Sequence, residues 1–245
     1  MRKLSFAVVG FAAVVVAAAL PAAASAAPAH VVAQPLHGRS HTGNTSYSTN
    51  WSGYAETGSG YTAVTATWTV PTVTPTSDDR YSSHWIGIDG DGNSDLIQLG
   101  TEADSSGGRA SYSAWWEILP DYSIDIPGVS PRPGDSITAS ITKSSSSKWK
   151  ISLKDNSNGE SYSSTKSYSG PAQSAEWIVE APTVGGSQSA AAKFSPVPFS
   201  GLTVNGGSPR LTTDDEIILR TGGKAIATPT APTSGGNGFT VKYTG

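Results

Sequence analysis

Apolar and polar residues alternate along most of the chain beyond residue 50, and the period is two. In Ala63–Val70 the residues Val64, Ala66, Trp68 and Val70 fall on one side, and Thr65, Thr67 and Thr69 on the other. Side chains alternate faces along a strand, so this pattern predicts a strand with one buried side. Pro71 ends it, because proline donates nothing to a sheet ladder. Ser136–Thr142 repeats the pattern with Ile137, Ala139 and Ile141 inward, and the next strand carries Trp149, Ile151 and Leu153. Turns are expected at Ser144–Ser147 and Asp155–Gly159. Tyr162–Tyr168 is serine-rich and suits a sheet edge. Shorter strands are expected at Ala192–Phe194, Gly201–Val204, Glu216–Leu219 and Phe239–Tyr243. No stretch of ten or more residues has a helical period. The expected fold is all-β: an antiparallel β-sandwich, jelly-roll or concanavalin-like, with one sheet presenting a concave polar face.

Four strands depart from plain apolar-in, polar-out alternation. His84–Glu102 reads as a hairpin, its arms Trp85–Asp89 and Leu96–Glu102 joined by a turn of Gly, Asp and Asn, residues that tolerate tight reversals. Ile86, Ile88, Ile97 and Leu99 share the core face, which leaves Trp85, Asp89, Gln98 and Glu102 opposite. Ser111–Leu119 puts Tyr112, Ala114, Trp116 and Ile118 inward, with Trp115 and Glu117 opposite. Ser174–Glu180 adds Glu176 and Glu180 to that second face. An antiparallel sheet often has one wet side. Two tryptophans there imply a ligand, however, and clustered carboxylates repel, so at least one should hold its proton more tightly than usual. The loop Pro120–Pro133 lies next to these strands in sequence and has the length of a flap.

Composition narrows the setting. Arg2 and Lys3, an apolar run from Leu4 to about Leu20, and Ala24-Ser25-Ala26 have the order of a signal peptide, residues 1–26. Residues 27–48 are polar, hold His30, His37 and His41, and read as a short propeptide or disordered arm; the domain is expected over 49–245. A secreted, extracellular protein follows, free of the membrane after cleavage and expected as a monomer. The net charge of −3 and the lack of a basic patch argue against nucleic acid. With no cysteine, thiolate chemistry and disulfides are excluded. No metal or cofactor is expected: Asp89–Asn93 lacks the spacing and terminal Glu of a calcium loop. There is no G-x-S-x-G elbow, and His84, the one histidine within the domain, reads as structural.

Seven motifs in order then suggest a family: N-W-S-G-Y (Asn50–Tyr54), W-T-V-P (Trp68–Pro71), W-I-G-I-D-G (Trp85–Gly90), L-I-Q-L-G (Leu96–Gly100), A-W-W-E (Ala114–Glu117), G-D-S-I (Gly134–Ile137) and A-E-W-I-V-E (Ala175–Glu180). The chain resembles the glutamic peptidases, or eqolisins. The resemblance implies a β-sandwich endopeptidase acting on polypeptides at acid pH through a Gln–Glu dyad. The glutamine corresponds to Gln98 and the glutamate to Glu180, with Glu176 as the rival base. Trp85, Asp89, Glu102, Trp115 and Glu117 correspond to cleft-lining, substrate-binding positions. Fungal members carry cysteines and this chain has none. Two other classes fit the same face: a non-catalytic carbohydrate-binding jelly roll using Trp85 and Trp115, and a glycoside hydrolase using Glu117 and Glu180 as its carboxylate pair.

Overall fold

The computed structural model describes residues 40–42 and 45–245. The expected signal peptide and most of the expected arm lie outside these residues. The regular structure of the described chain is almost wholly strand. In order they are β1 (Ser40–Thr42), β2 (Thr45–Ser48), β3 (Trp51–Thr57), β4 (Ala63–Thr69), β5 (Ser83–Ile88) and β6 (Ile97–Ser106). Then follow β7 (Arg109–Ile118), β8 (Ile124–Asp125), β9 (Ser136–Ser145), β10 (Lys148–Asp155), β11 (Ser161–Ser167) and β12 (Ser174–Glu180). The last are β13 (Thr183–Val184), β14 (Ser187–Gln188), β15 (Val197–Val204), β16 (Glu216–Thr221), β17 (Lys224–Pro229) and β18 (Phe239–Tyr243). A single 3-10 turn at Thr213–Asp215, capped by Thr212, is the helical element among the described residues.

One hydrogen-bonded path runs β11-β10-β9-β4-β15-β18-β17-β16-β3-β12-β5-β6-β7-β8. It folds back on itself, so that β4 and β9 lie against β5 and β6. Those two halves are the layers of a sandwich. Between them pack Trp68, Ile86, Leu99, Ile137, Ile141, Ile151 and Trp177. Both buried indoles find acceptors in the opposite layer: Trp68 Nε1 donates to Thr101 Oγ1 at 3.0 Å and Trp177 Nε1 to the Thr65 carbonyl at 3.0 Å. A buried indole N–H left unmade would cost about 1–3 kcal/mol. With no cysteine present, such contacts and apolar burial hold the layers together.

The alternation seen in sequence is realised in β4, β9 and β10, and β11 ends the path as an edge strand. Ala192–Phe194 is not a strand. It makes single bridges instead, Phe194 to Val73 beside Ala191 to Tyr81. β3 was not legible as a strand because both its faces are covered, which erases alternation. The end of the polar arm also forms strand: β2 pairs in parallel with β16. That pairing uses main-chain groups and needs no apolar period.

Candidate active site

The strands β3, β12, β5, β6 and β7 align residues in three rows. One row is Ala55–Glu176–Gly87–Gln98–Glu117, the next Gly53–Ile178–Trp85–Gly100–Trp115, and the third Trp51–Glu180–Ser83–Glu102–Ser113. Gln98, Glu102, Trp115, Glu117, Trp85, Glu176 and Glu180 therefore share one face, as alternation predicts. Two glycines keep its floor low. A Cβ on Gly100 would stand 2.2 Å from the His84 carbonyl oxygen, and one on Gly87 2.8 Å from the Trp85 ring and 3.1 Å from Glu176 Oε2.

The face is not wet. Trp85 and Gln98 are 0 % exposed, Trp115 2 % and Glu180 1 %. A second apolar cluster, which includes Trp51, Trp85, Leu96, Trp115, Ile178 and Ile217, occupies it. This corrects the expectation of solvent-facing tryptophans: β5 and β12 are buried on both sides.

Within that enclosure Glu180 receives two donors. Asn50 Nδ2 lies 3.2 Å from Oε1 and Trp85 Nε1 3.0 Å from Oε2. Ser48 Oγ donates to Asn50 Oδ1 at 2.7 Å and so turns the Asn50 amide nitrogen toward Glu180. Trp51 packs edge-on against Trp85, centroids 4.9 Å apart. Burial first, and then the charge of Glu117, push the Glu180 carboxyl well above its ordinary range. Glu117 belongs to the Gln98 row, and its charge nevertheless reaches Glu180 across the face. Gln98 Nε2 donates to Glu117 Oε2 at 2.7 Å, while Gln98 Oε1 is buried with no hydrogen-bond partner. The indole nitrogens of Trp51 and Trp115 are likewise buried and unpartnered.

Glu176 sits differently. Neither oxygen makes a hydrogen bond of normal geometry, although the Ser174 hydroxyl on the same strand lies near enough to oppose the rise in its pKa. Burial, and then the charges of Asp91 and Asp89, raise its pKa. Its electrostatic neighbours are thus the hairpin turn and not the Gln98–Glu117 pair. Asp89, expected to line the cleft, is committed elsewhere. Its oxygens accept from Tyr168 Oη at 2.6 Å, the amides of Ala172 and Gln173 at 2.9 and 2.8 Å, and Asn93 Nδ2 at 3.1 Å. It ties the hairpin tip to the segment leading into β12. Glu102 accepts from Ser83 Oγ at 2.5 Å at the far end of the face. His84 points to the core, edge-on to Phe194 at 6.0 Å, and burial lowers its pKa to about 3. Sequence reasoning did not assign Asn50 or Trp51 to the site, although both stand in the N-W-S-G-Y motif. Among the described residues no cluster of His, Cys, Asp and Glu could hold a metal ion.

Comparison with known proteins places this arrangement. The Peptidase A4 family profile matches residues 49–243. Aspergillopepsin-2 of Aspergillus niger is 31% identical over 150 residues, 58% of this chain and 52% of that protein. The chain thus spans about half the length of that curated relative. The crystal structure of scytalido-glutamic peptidase with a transition state analog inhibitor superposes with a TM-score of 0.69 at 26% identity, covering 80% of this chain and 98% of that one. SCP-B, an eqolisin solved in complex with the tripeptide Ala-Ile-His, gives a TM-score of 0.63 at 26% identity over the same shares. The profile match over nearly the whole described domain, with the sandwich fold shared, shows that the chain belongs to the Peptidase A4 family, the glutamic peptidases or eqolisins.

Proposed function

We propose that the protein is a secreted endopeptidase that hydrolyses polypeptides at acid pH, with Glu180 as general base and Gln98 as oxyanion donor. The observation that carries this reading is the Gln98–Glu117 bond. It anchors one N–H of the Gln98 amide at 2.7 Å. Its Oε1 is unpartnered and lies buried on the face that carries Glu180, so the amide keeps unused bonding capacity there. An amide offers two donors and one acceptor, so Gln98 can steady a water through Oε1 and stabilise an oxyanion through N–H. Being uncharged, it remains a donor in acid.

In this mechanism ionised Glu180 takes a proton from the bound water, whose oxygen attacks the scissile carbonyl carbon. The carbonyl π pair moves onto oxygen, where the Gln98 amide meets the developing charge. Protonated Glu180 then passes the proton to the departing amine as the C–N bond breaks. Trp85 and Asn50 hold the carboxylate in place through both reactions. Glu180 is favoured over Glu176 because two well-aligned donors orient it and it feels Glu117, whereas Glu176 has only the Ser174 hydroxyl near it and feels Asp91 and Asp89 instead. The carbohydrate-binding reading loses its support with the burial of Trp85 and Trp115, which leaves no exposed aromatic platform on this face.

The test is hydrolysis of a denatured protein substrate from acid to neutral pH by the purified protein and by Glu180→Gln and Glu176→Gln variants. Activity confined to acid pH, lost in folded Glu180→Gln and retained in Glu176→Gln, supports the assignment. Loss in Glu176→Gln with retention in Glu180→Gln transfers the base to Glu176. No hydrolysis by the folded parent at any pH overturns the peptidase reading.

A further inference from the structure

A cavity of about 370 Å³ opens at the other side of β12 from the catalytic face, and none of the groups in the three rows lines it. Ala181, one residue past Glu180, turns the opposite way and forms part of its wall. Leu219, Ile226 and Tyr243 give it apolar walls, and Arg80, Gln188, Ser189 and Thr221 are its polar side chains. The wall is held by the main chain. The Tyr81 amide donates to the Ala190 carbonyl, the Ala192 amide to the Tyr81 carbonyl and the Ser189 amide to the Pro182 carbonyl, each at 3.0 Å. The cavity is therefore preformed and does not depend on a loose loop.

Two of its polar side chains have an unsatisfied atom. Arg80 Nε is buried and has no hydrogen-bond partner, and Ser189 Oγ is in the same condition. The neighbouring acid, Asp79, instead accepts from Ser106 Oγ at 2.6 Å. Gln188 is also occupied, its Nε2 donating to the Ala181 carbonyl. Arg80 itself is half-buried, so its Nε lies within the wall while the residue lines the cavity, with no acidic partner taking its charge. A guanidinium keeps its charge at any pH where a protein is folded, and its planar fork matches a carboxylate bidentately. The hydroxyl of Ser189 adds a third donor, and the aliphatic walls suit a short apolar body.

We propose that this cavity is a binding site for a carboxylate carried on a small aliphatic group, as at the C-terminus of a peptide or on an acidic side chain. The carboxylate pairs with the Arg80 fork and accepts from Ser189 Oγ, and the body packs on Leu219 and Ile226. The inference does not rest on the peptidase reading, because binding can be measured without turnover.

Calorimetric titration at pH 5 tests it, where free carboxylates of ordinary pKa, about 3.3–3.9, are ionised. The probes are N-acetyl-leucine, N-acetyl-leucine amide and N-acetyl-aspartic acid α-amide. N-acetyl-leucine is expected to bind at least tenfold more tightly than its amide, and Arg80→Gln is expected to erase that difference. Arg80→Lys keeps the charge without the fork and should fall between the two; Ser189→Ala should weaken binding severalfold. Hydrolysis of protein substrate by Arg80→Gln should stay at the parent level, which reports its folding separately from ligand binding. If the aspartate probe matches N-acetyl-leucine, the site accepts acidic side chains as well; if it binds like the amide, the site reads chain ends. Equal binding of N-acetyl-leucine and its amide, no binding of either, or tight binding that survives in both Arg80→Gln and Ser189→Ala overturns the proposal.

Discussion

At the scale of single residues, the site depends on which polar atoms are satisfied and which are left open. Gln98 is anchored through one N–H and unpartnered at Oε1. In the proposed mechanism, replacing it with glutamate would put a negative charge at the position assigned to the oxyanion. Gln98→Glu is expected to lower kcat about 10²–10³-fold, the usual effect of losing one oxyanion donor; a variant within threefold of the parent would remove Gln98 from the mechanism. Glu117 makes a separate prediction about pH. Its charge, second to burial, raises the Glu180 pKa. Glu117→Gln removes the charge, and its side-chain carbonyl can still accept from Gln98. The Glu180 pKa then falls, so the base stays ionised to lower pH. The acid limb of the kcat/KM profile should move to lower pH, and a limb that stays put or moves upward would contradict the electrostatic coupling.

At the scale of elements, close strand approach and one buried carboxylate set the shape of the site. Gly100 lies between Trp85 and Trp115 in its row, where a Cβ would collide with the backbone oxygen of His84. Gly100→Ala must push β5 and β6 apart or shift Trp85. A loss of at least ~2 kcal/mol is expected in denaturant unfolding, along with reduced activity. Asp89 is the corresponding device at the hairpin tip, with positive φ and four donors converging on its carboxylate. Asp89→Ala leaves those donors unmet in a buried place and should cost roughly 2–3 kcal/mol. The motif residues Trp85 to Gly90 pointed to this hairpin. Nothing in them distinguished a turn anchor from a cleft-lining acid, because the partners Tyr168, Ala172 and Gln173 lie some eighty residues away.

At the scale of the whole molecule, buried titratable groups make stability depend on pH in two opposed ways. Glu176 and Glu180 have folded pKa values raised above the ordinary 4.5. Such groups bind more protons in the folded state. Their stabilising contribution is full below about pH 4.5 and is lost as pH rises through the folded values. His84 runs the other way: buried as neutral imidazole with its pKa lowered to about 3 from 6.5, it favours folding above pH 6.5 and loses that contribution as pH falls toward 3. A melting-temperature profile should therefore fall toward neutral pH on the carboxylate side. Glu176→Gln should flatten that limb. His84→Phe, in the same apolar setting beside Phe194, should raise the acid end relative to the neutral end. A profile for His84→Phe parallel to the parent between pH 3 and 6.5 would show that the imidazole does not titrate with unfolding.

By itself the sequence determined the strand periods, the hairpin at His84–Glu102, the motif order and the face to which Gln98, Glu102, Glu117, Glu176 and Glu180 belong. These are local properties: alternation depends only on neighbours along the chain, and turn chemistry on a few adjacent residues. Only the tertiary structure decided that this face is enclosed by a second apolar cluster, since burial depends on what packs above a strand. It also decided that Asn50 and Trp85 hold Glu180 while Asp89 serves the turn. Glu176 and Glu180 are equivalent by period, four residues apart on one face. The charges gathered by distant strands make their surroundings differ, because electrostatic coupling follows distance in space and not spacing along the chain.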